Sequence, residues 1–180
     1  TAEYYLMLNK PLGYITSRRD PSKAKSVFYL LPANTPKEIH AIGRLDVESQ
    51  GLLLFTTNGA VTHLLTHPKH HVEKEYIVTV EGALTEAVCQ ELEKGIMLDH
   101  EITKPCSIFS IEHLHDKNTR FHIILREGKH RQIRRMLERF SLPVIELKRI
   151  RIGSIKLANL KEGSTRELTA PEITYLKSLR

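Results

Sequence analysis

The 180-residue sequence predicts an α+β fold in which a mixed, mostly antiparallel sheet is flanked by short helices. Segments with strand character outnumber helical segments, and several strands follow one another directly, which disfavours alternating βαβ units. Hydrophobic residues make up 41% of the chain and charged residues 27%, a balance typical of globular proteins. We expect one domain, 1–180, with two closely joined subdomains as an alternative whose boundary is not visible.

The individual elements follow from apolar runs, alternation and capping residues. Strands are predicted over residues 39–42, 51–57, 75–81, 106–113, 120–126 and 145–157. Helices are predicted over residues 60–66, 85–94 and 131–140, with a last one after Thr169, whose spacing to Glu172 fits a capping box. The segment 21–38 is rich in Pro, Ser and Lys and is predicted to be a mobile basic loop around a short apolar piece.

The net charge of +6 is concentrated in one segment. Residues 120–156 contain 11 basic and 3 acidic side chains, a net charge of +8. A smaller basic cluster comprises Arg18, Arg19, Lys23 and Lys25. Clustered positive charge favours either a polyphosphate partner or a solvated basic face.

Composition also restricts the location and the class of site. Two cysteines are too few for a disulfide framework, so a cytoplasmic protein is expected. No apolar run approaches the ~20 residues that a membrane span needs, and no secretory signal is visible at the N-terminus. The histidines at 63, 67, 70 and 71 lack a zinc-protease pattern, so no metal site is predicted.

The helix predicted over residues 131–140 is basic and amphipathic. Its apolar stripe comprises Ile133, Met136, Leu137 and Phe140. Arg134 lies on the border of that stripe and can reach a buried partner. Arg131 and Arg135 lie further toward solvent and are better placed for phosphate.

The loop before the strand at 51–57 contains the most unusual stretch, Gly-Arg-Leu-Asp at 43–46. A carboxylate at the edge of the core needs a cationic partner, because an unpaired buried charge is costly. Arg44 and Arg134 are both available to Asp46. Such pairing would keep Asp46 ionised and suited to act as a nucleophile or a general base. The alternative is an Asp that is hydrogen-bonded within its own turn.

Four segments, in this order, resemble the RsuA-like branch of the RNA pseudouridine synthases. Residues 9–14 resemble its Lys-Pro-x-Gly element, and residues 43–54 its catalytic-aspartate motif. Residues 73–76 match its Lys-x-Tyr element, and residues 127–136 its basic helix motif. The resemblance spans nearly the whole chain and implies a pseudouridine synthase fold with a central catalytic cleft.

The resemblance implies that the chain isomerises uridine in RNA to pseudouridine, with no cofactor and no metal. Asp46 would be the essential carboxylate, either attacking C1′ of the ribose or removing a proton from C2′. Arg134 would be the cation that holds it. Tyr76 would stack on the uracil and assist removal of the C5 proton. Leu147 would pack on the other side of the base, with Ile145 or Ile150 as alternatives at this position.

The remaining roles concern RNA. Arg44 would help to displace or replace the flipped nucleotide, and phosphate contacts would come from Lys10, Lys129, Arg131 and Arg135. The core begins almost at residue 1, whereas most members of this branch carry an S4-type RNA-binding domain before it. Either that domain has been removed from this sequence, or the chain belongs with the members that lack it, which is the alternative we favour. We therefore expect an RluE-type enzyme that modifies ribosomal RNA, with the large subunit favoured, and that acts as a monomer. The alternative is a non-catalytic RNA-binding or ribosome-assembly module that retains the fold.

Overall fold

The computed structural model describes residues 2–18 and 25–179. Within these ranges the chain forms strands and four α-helices, which confirms the predicted α+β class. The strands are β1 Tyr5–Lys10, β2 Tyr14–Ile15, β3 Lys25–Ser26, β4 His40–Ile42, β5 Gln50–Thr56, β6 Lys74–Val80, β7 Met97–Leu98, β8 Glu101–Ile102, β9 Ser107–His113, β10 Thr119–Leu125, β11 Val144–Ile152, β12 Ile155–Lys156 and β13 Thr165–Glu167. The helices are α1 Gly59–Thr66, α2 Glu86–Lys94, α3 Gln132–Glu138 and α4 Ala170–Ser178.

One nine-stranded sheet organises the fold, in the order β13-β1-β5-β11-β6-β10-β9, with β4 on β5 and β12 on β11. Its pairings are antiparallel except for β5 and β11, which run parallel. The predicted mixed, mostly antiparallel sheet is therefore confirmed. Among the described helices, none is long and apolar enough to cross a membrane.

The parallel pairing of β5 with β11 requires a glycine at the start of β5. Gly51 has φ +105° and lies opposite Arg149, and a Cβ at this position would be 2.1 Å from the carbonyl oxygen of Arg149. Only glycine tolerates this backbone angle and this approach without strain. The loop at 43–49 consequently enters the sheet directly beside β11.

The core lies on both faces of this sheet. All six residues of β1 are buried, and they alternate between the faces as a strand must. Tyr5 and Met7 pack with α1 and α4, whereas Leu6 and Leu8 pack with Val27 and its neighbours on the opposite face. A third cluster joins β6, β10 and β11 to α2 and α3. Each fully buried side chain of this size contributes about 1.5–3 kcal/mol.

Most helix starts agree with the sequence prediction. Thr85 caps α2 by accepting a hydrogen bond from the amide of Val88, and Gly95 follows its end. The capping box between Thr169 and Glu172 opens α4. The capping residue of α1 is Asn58, whose side chain accepts from the amides of Ala60 and Val61.

Two predictions differ from the structure. The strand predicted at 145–157 is two strands, β11 and β12, because Gly153 forms a turn with φ +55°. The described part of the predicted 21–38 loop contains β3 and a 3-10 helix over Val27–Leu30, which buries Val27. Residues 19–24, including Arg19 and Lys23 of the smaller basic cluster, lie outside the described residues.

Candidate active site

A cleft of about 730 Å³ opens between the 43–49 loop and the turn before α3, with β6 and β11 beneath it. Such a volume is within the range of small-molecule sites. The cleft walls bring together six of the side chains that the sequence predicts for the site: Arg44, Asp46, Tyr76, Lys129, Arg131 and Leu147. Lys10, Arg134 and Arg135 do not line it.

The segment from β1 to β2 holds the 43–49 loop on one side. The hydroxyl of Thr16 donates to the carbonyl of Leu45 at 2.8 Å and accepts from the Leu45 amide at 3.1 Å. The amide of Gly13 donates to the carbonyl of Val47 at 2.9 Å. Backbone groups next to Asp46 are thereby fixed on both sides of the carboxylate.

Lys10 belongs to the same support and not to the RNA-facing surface that the resemblance implies for it. Its side chain is fully buried. Its ammonium donates to the carbonyls of Ser49 at 2.7 Å and Pro11 at 3.0 Å, and to that of Val47 at 3.4 Å. The predicted phosphate contact is therefore wrong, because β1 places this lysine inside the protein. Burial lowers the pKa of Lys10 to about 8.

Helix α3 holds the loop from the other side through Arg134. This arginine is 8% exposed, and its Nη2 donates to the carbonyl of Glu48 and to the hydroxyl of Ser49, each at 3.2 Å. Burial lowers the pKa of Arg134. The expected partner was the carboxylate of Asp46, but the guanidinium, at the border of the buried stripe, instead binds the loop two and three residues further on.

Arg131 is the residue that contacts the Asp46 carboxylate. Its Nη1 lies 3.5 Å from Oδ2 of Asp46 and 2.8 Å from Oε2 of Glu48. The sequence places Arg131 within the helix and toward solvent, whereas the structure places it before α3 in a left-handed conformation with φ 51°. The hydrogen bond with Arg131 lowers the pKa of Glu48, and the same bond raises the pKa of Arg131.

The floor of the cleft is apolar around Tyr76. Tyr76 is 9% exposed on β6, and Leu147 is 7% exposed on β11. Both residues line the cleft, whereas Ile145, which is half exposed, and Ile150 do not. Of these three candidates, Leu147 alone lines the cleft together with Tyr76.

Two cationic residues of this floor were missed in the sequence. Lys74 lies two residues before Tyr76 in β6, and Arg149 lies two residues after Leu147 in β11. Both line the cleft. The signal was present, since alternate residues of a strand share a face. Lys74 belongs to the Lys-x-Tyr element and Arg149 to the basic segment 120–156, but neither residue was given a role of its own.

The other cations predicted to contact phosphate are paired with acidic residues of the β7–β8 hairpin. The ammonium of Lys129 lies 2.9 Å from Oε2 of Glu101. Arg135 forms an ion pair with Asp99 and donates from Nε to the carbonyl of His130 at 2.9 Å. Their role toward RNA stays a prediction.

The turn before α3 is fixed by one buried amide side chain. Gln132 accepts from the amide of Lys129 at 3.0 Å and donates to Glu127 at 2.8 Å. Glu127 also accepts from the amide of Lys104 at 2.7 Å. This network holds the wall that carries Arg131.

Two of the four clustered histidines, at 63, 67, 70 and 71, lie in the cleft wall. His67 and His71 line it, and the rings of His63 and His67 are 5.0 Å apart. Over residues 2–18 and 25–179, no group of three or more His, Cys, Asp or Glu side chains is placed to hold a metal ion.

Comparison with known proteins shows the family to which this sequence belongs. The family model described as RNA pseudouridylate synthase matches residues 4–139. The sequence is 40% identical over 172 residues to the ribosomal small subunit pseudouridine synthase A of Yersinia pestis, a match that covers 94% of this chain and 71% of that protein. It is 36% identical over 176 residues to the ribosomal large subunit pseudouridine synthase B of Bacillus subtilis (strain 168), covering 97% of this chain and 72% of that protein.

A solved structure extends the similarity to the fold. The crystal structure of a pseudouridylate synthase superposes with a TM-score of 0.86 at 35% identity, covering 97% of this chain and 74% of that one. The matches in sequence and structure span the four motifs and the cleft that they build. The chain therefore belongs to the RsuA-like branch of the RNA pseudouridine synthases and is an isomerase that acts on RNA.

Proposed function

We propose that this protein converts a uridine of ribosomal RNA to pseudouridine, with Asp46 as the essential carboxylate. Relatives named for the small and for the large ribosomal subunit support ribosomal RNA as the substrate. The preference for large-subunit RNA stays a prediction. Comparing pseudouridine maps of both ribosomal RNAs from cells with and without this gene tests it, and a site lost only from small-subunit RNA contradicts it.

The observation that carries the proposal is the position of Asp46. Its carboxylate lines the same cleft as Tyr76 and Leu147, and it is ion-paired to Arg131 at 3.5 Å. A carboxylate in a rigid loop, next to a cation and facing an apolar floor, is suited to act on a ribose whose base lies on that floor.

The reaction needs the uridine outside its helical stack. Flipping a base costs a few kcal/mol, and stacking on an aromatic side chain offsets about 1–3 kcal/mol of this cost. In the proposed complex the uracil lies between Tyr76 and Leu147, and Arg44 occupies or stabilises the space that the nucleotide leaves. Asp46 then attacks C1′ and displaces N1 of the uracil, or removes the C2′ proton as the C1′–N1 bond breaks. The uracil turns and C5 bonds to C1′, while the Asp46–C1′ bond breaks or the proton returns to C2′.

Replacement of two neighbouring carboxylates tests the role of Asp46. We expect Asp46→Asn to fold and to bind RNA but to release no tritium from ribosomal RNA that contains C5-tritiated uridine. Glu48→Gln is the matched control, because Glu48 is in the same loop and the amide oxygen of a glutamine can still accept from Arg131. It should retain most of the activity. Undiminished release by Asp46→Asn would disprove the assignment, and an inactive wild-type protein that still binds this RNA would favour a non-catalytic module.

A further inference from the structure

Two cationic side chains on the floor of the cleft have donors without acceptors. Arg149 is 4% exposed; its Nε donates to the carbonyl of Leu52 at 2.9 Å, but its buried Nη2 has no hydrogen-bond partner. Among residues 2–18 and 25–179, no acceptor lies within hydrogen-bonding or ion-pairing distance of the Lys74 ammonium. Buried donors are nearly always satisfied, so the Nη2 of Arg149 points to an acceptor that a ligand brings, and the unpaired ammonium of Lys74 lies in the same cleft.

Strand register places both cations beside Tyr76. Lys74 and Tyr76 are alternate residues of β6 and therefore share a face. Arg149 pairs directly with Tyr76 across β6 and β11, and directly opposed residues also share a face. Both cations line the cleft. Burial, and then the charge of Arg149, lower the pKa of Lys74 to about 8.

We propose that Lys74 and Arg149 bind the uracil through its O2 and O4 carbonyl oxygens and stabilise the negative charge that the base acquires when it leaves the ribose. This inference rests on the proposed function. A phosphate is the less favoured ligand, because Arg149 is buried and the strand positions of both cations place them beside Tyr76.

The chemistry of the base explains the need for cations. When the C1′–N1 bond breaks, its electron pair leaves with the uracil and is shared by N1, O2 and O4. Rotation of the ring by half a turn about its N3–C6 axis exchanges N1 with C5 and O2 with O4. The C5 carbon then forms the new bond to C1′, its proton passes to solvent, and N1 takes up a proton. Two donors on one floor can therefore hold the same pair of oxygens before and after the rotation.

Kinetics of three variants test the proposal with ribosomal RNA from cells that lack this gene. We expect Lys74→Met to lower kcat for tritium release by at least about tenfold and to change KM for the RNA little. Lys74→Arg should restore much of kcat. Lys156→Met, on the exposed side of β12, should behave as wild type. An unchanged kcat with Lys74→Met, or a rise in KM alone as a phosphate contact would give, would overturn the proposal.

A binding measurement separates this inference from the proposed function. Uridine 5′-monophosphate and ribose 5-phosphate share the sugar and the phosphate and differ in the base. We expect wild-type protein to prefer the nucleotide and Lys74→Met to lose most of that preference, measured by equilibrium dialysis of the intact protein. Equal weakening for both probes would mean that Lys74 contacts phosphate and would refute base binding. The binding preference can be measured even if the wild-type protein forms no pseudouridine, so this test does not depend on catalytic activity. Thermal unfolding of each variant confirms that it is folded.

Discussion

Nη1 of Arg131 lies between two carboxylates, 3.5 Å from Asp46 and 2.8 Å from Glu48. The shorter contact is to the carboxylate to which no chemical role is assigned. Glu48 therefore holds the guanidinium of Arg131 in place. Asp46 interacts with the positive charge of this guanidinium at a longer distance. A second arginine, Arg134, fixes the backbone of the same loop. The two arginines thus have separable tasks. Arg131 provides positive charge next to Asp46, and Arg134 fixes the position of the loop.

Substitution of each arginine should separate these tasks. We expect Arg131→Gln to lower kcat by about tenfold, while its free energy of unfolding stays within about 0.5 kcal/mol of wild type because the ion pairs are partly exposed. Arg134→Met should lower the free energy of unfolding by about 1–3 kcal/mol, since it leaves the buried Glu48 carbonyl and Ser49 hydroxyl without a donor.

Urea denaturation and steady-state tritium release measure both effects. Arg139→Gln is the control, since the side chain of Arg139 donates to the carbonyl of Met97 at the surface and makes no other hydrogen bond to the described residues. A large loss of stability in Arg131→Gln with no loss in Arg134→Met would reverse the assignment.

Substitution of Lys10 distinguishes a buried lysine that stabilises the fold from a lysine that contacts RNA. We expect Lys10→Met to lower the free energy of unfolding by about 2–4 kcal/mol, because the carbonyls of Pro11, Val47 and Ser49 lose their donor. The salt dependence of RNA binding should not change. Lys129→Met should instead reduce the slope of log K against log salt by about 0.7–0.9. If Lys10→Met reduces that slope and leaves stability intact, the lysine faces RNA after all.

The close approach at the start of β5 should make Gly51 intolerant of any side chain. We expect Gly51→Ala to lose about 3 kcal/mol or more of stability, because its Cβ would overlap the carbonyl of Arg149. Gly59→Ala is the control, since no atom lies within 4 Å of a Cβ there and the residue is helical. It should be neutral or slightly stabilising. Thermal unfolding compares them, and equal midpoints would contradict the expected overlap.

Activity should depend on pH through Lys74. Burial, and then the charge of Arg149, lower the pKa of Lys74 to about 8. The side chain is therefore charged below this pH and neutral above it, so kcat should fall as the pH rises through about 8. Other charged or titratable groups line the same cleft, namely Arg44, Asp46, His67, His71, Glu101, Lys104, Arg126, Glu127, Lys129, His130 and Arg131.

The variant Lys74→Arg identifies the group responsible. Because arginine stays charged throughout this range, the alkaline loss of kcat should disappear in Lys74→Arg. The same loss in this variant would assign the titration to another residue of the cleft. A pH profile of kcat between about 6 and 10 decides this.

The order and type of the central elements could be predicted from sequence because their signals are local. The apolar run of β5, the alternation in β6 and the caps of α2 and α4 each lie within a few residues. Strand β1 was missed, since its six residues are buried on both faces and show no alternation. The short strands at β2, β3, β7 and β8 carry too few residues for any pattern.

The residues of the candidate site could largely be predicted from the sequence, whereas the contacts between them could not. The family resemblance implied one site for Asp46, Tyr76 and Leu147, and the structure brings all three to one cleft. Which arginine faces the carboxylate depends on the left-handed turn at Arg131. That angle has no sequence signal in an arginine, because residues with a side chain seldom adopt it.

The acidic hairpin of β7 and β8 neutralises two neighbouring cations, of which Lys129 lines the cleft and Arg135 lies outside it. Glu101 is ion-paired to Lys129, and Asp99 is ion-paired to Arg135. A phosphodiester that binds either cation must first exchange with a tethered carboxylate. A polyanion that contacts only these cations gains little binding free energy from such an exchange. An RNA that also places a nucleotide in the cleft gains additional contacts, which offset the loss of the ion pairs. The hairpin would therefore favour discrimination between RNAs over general affinity.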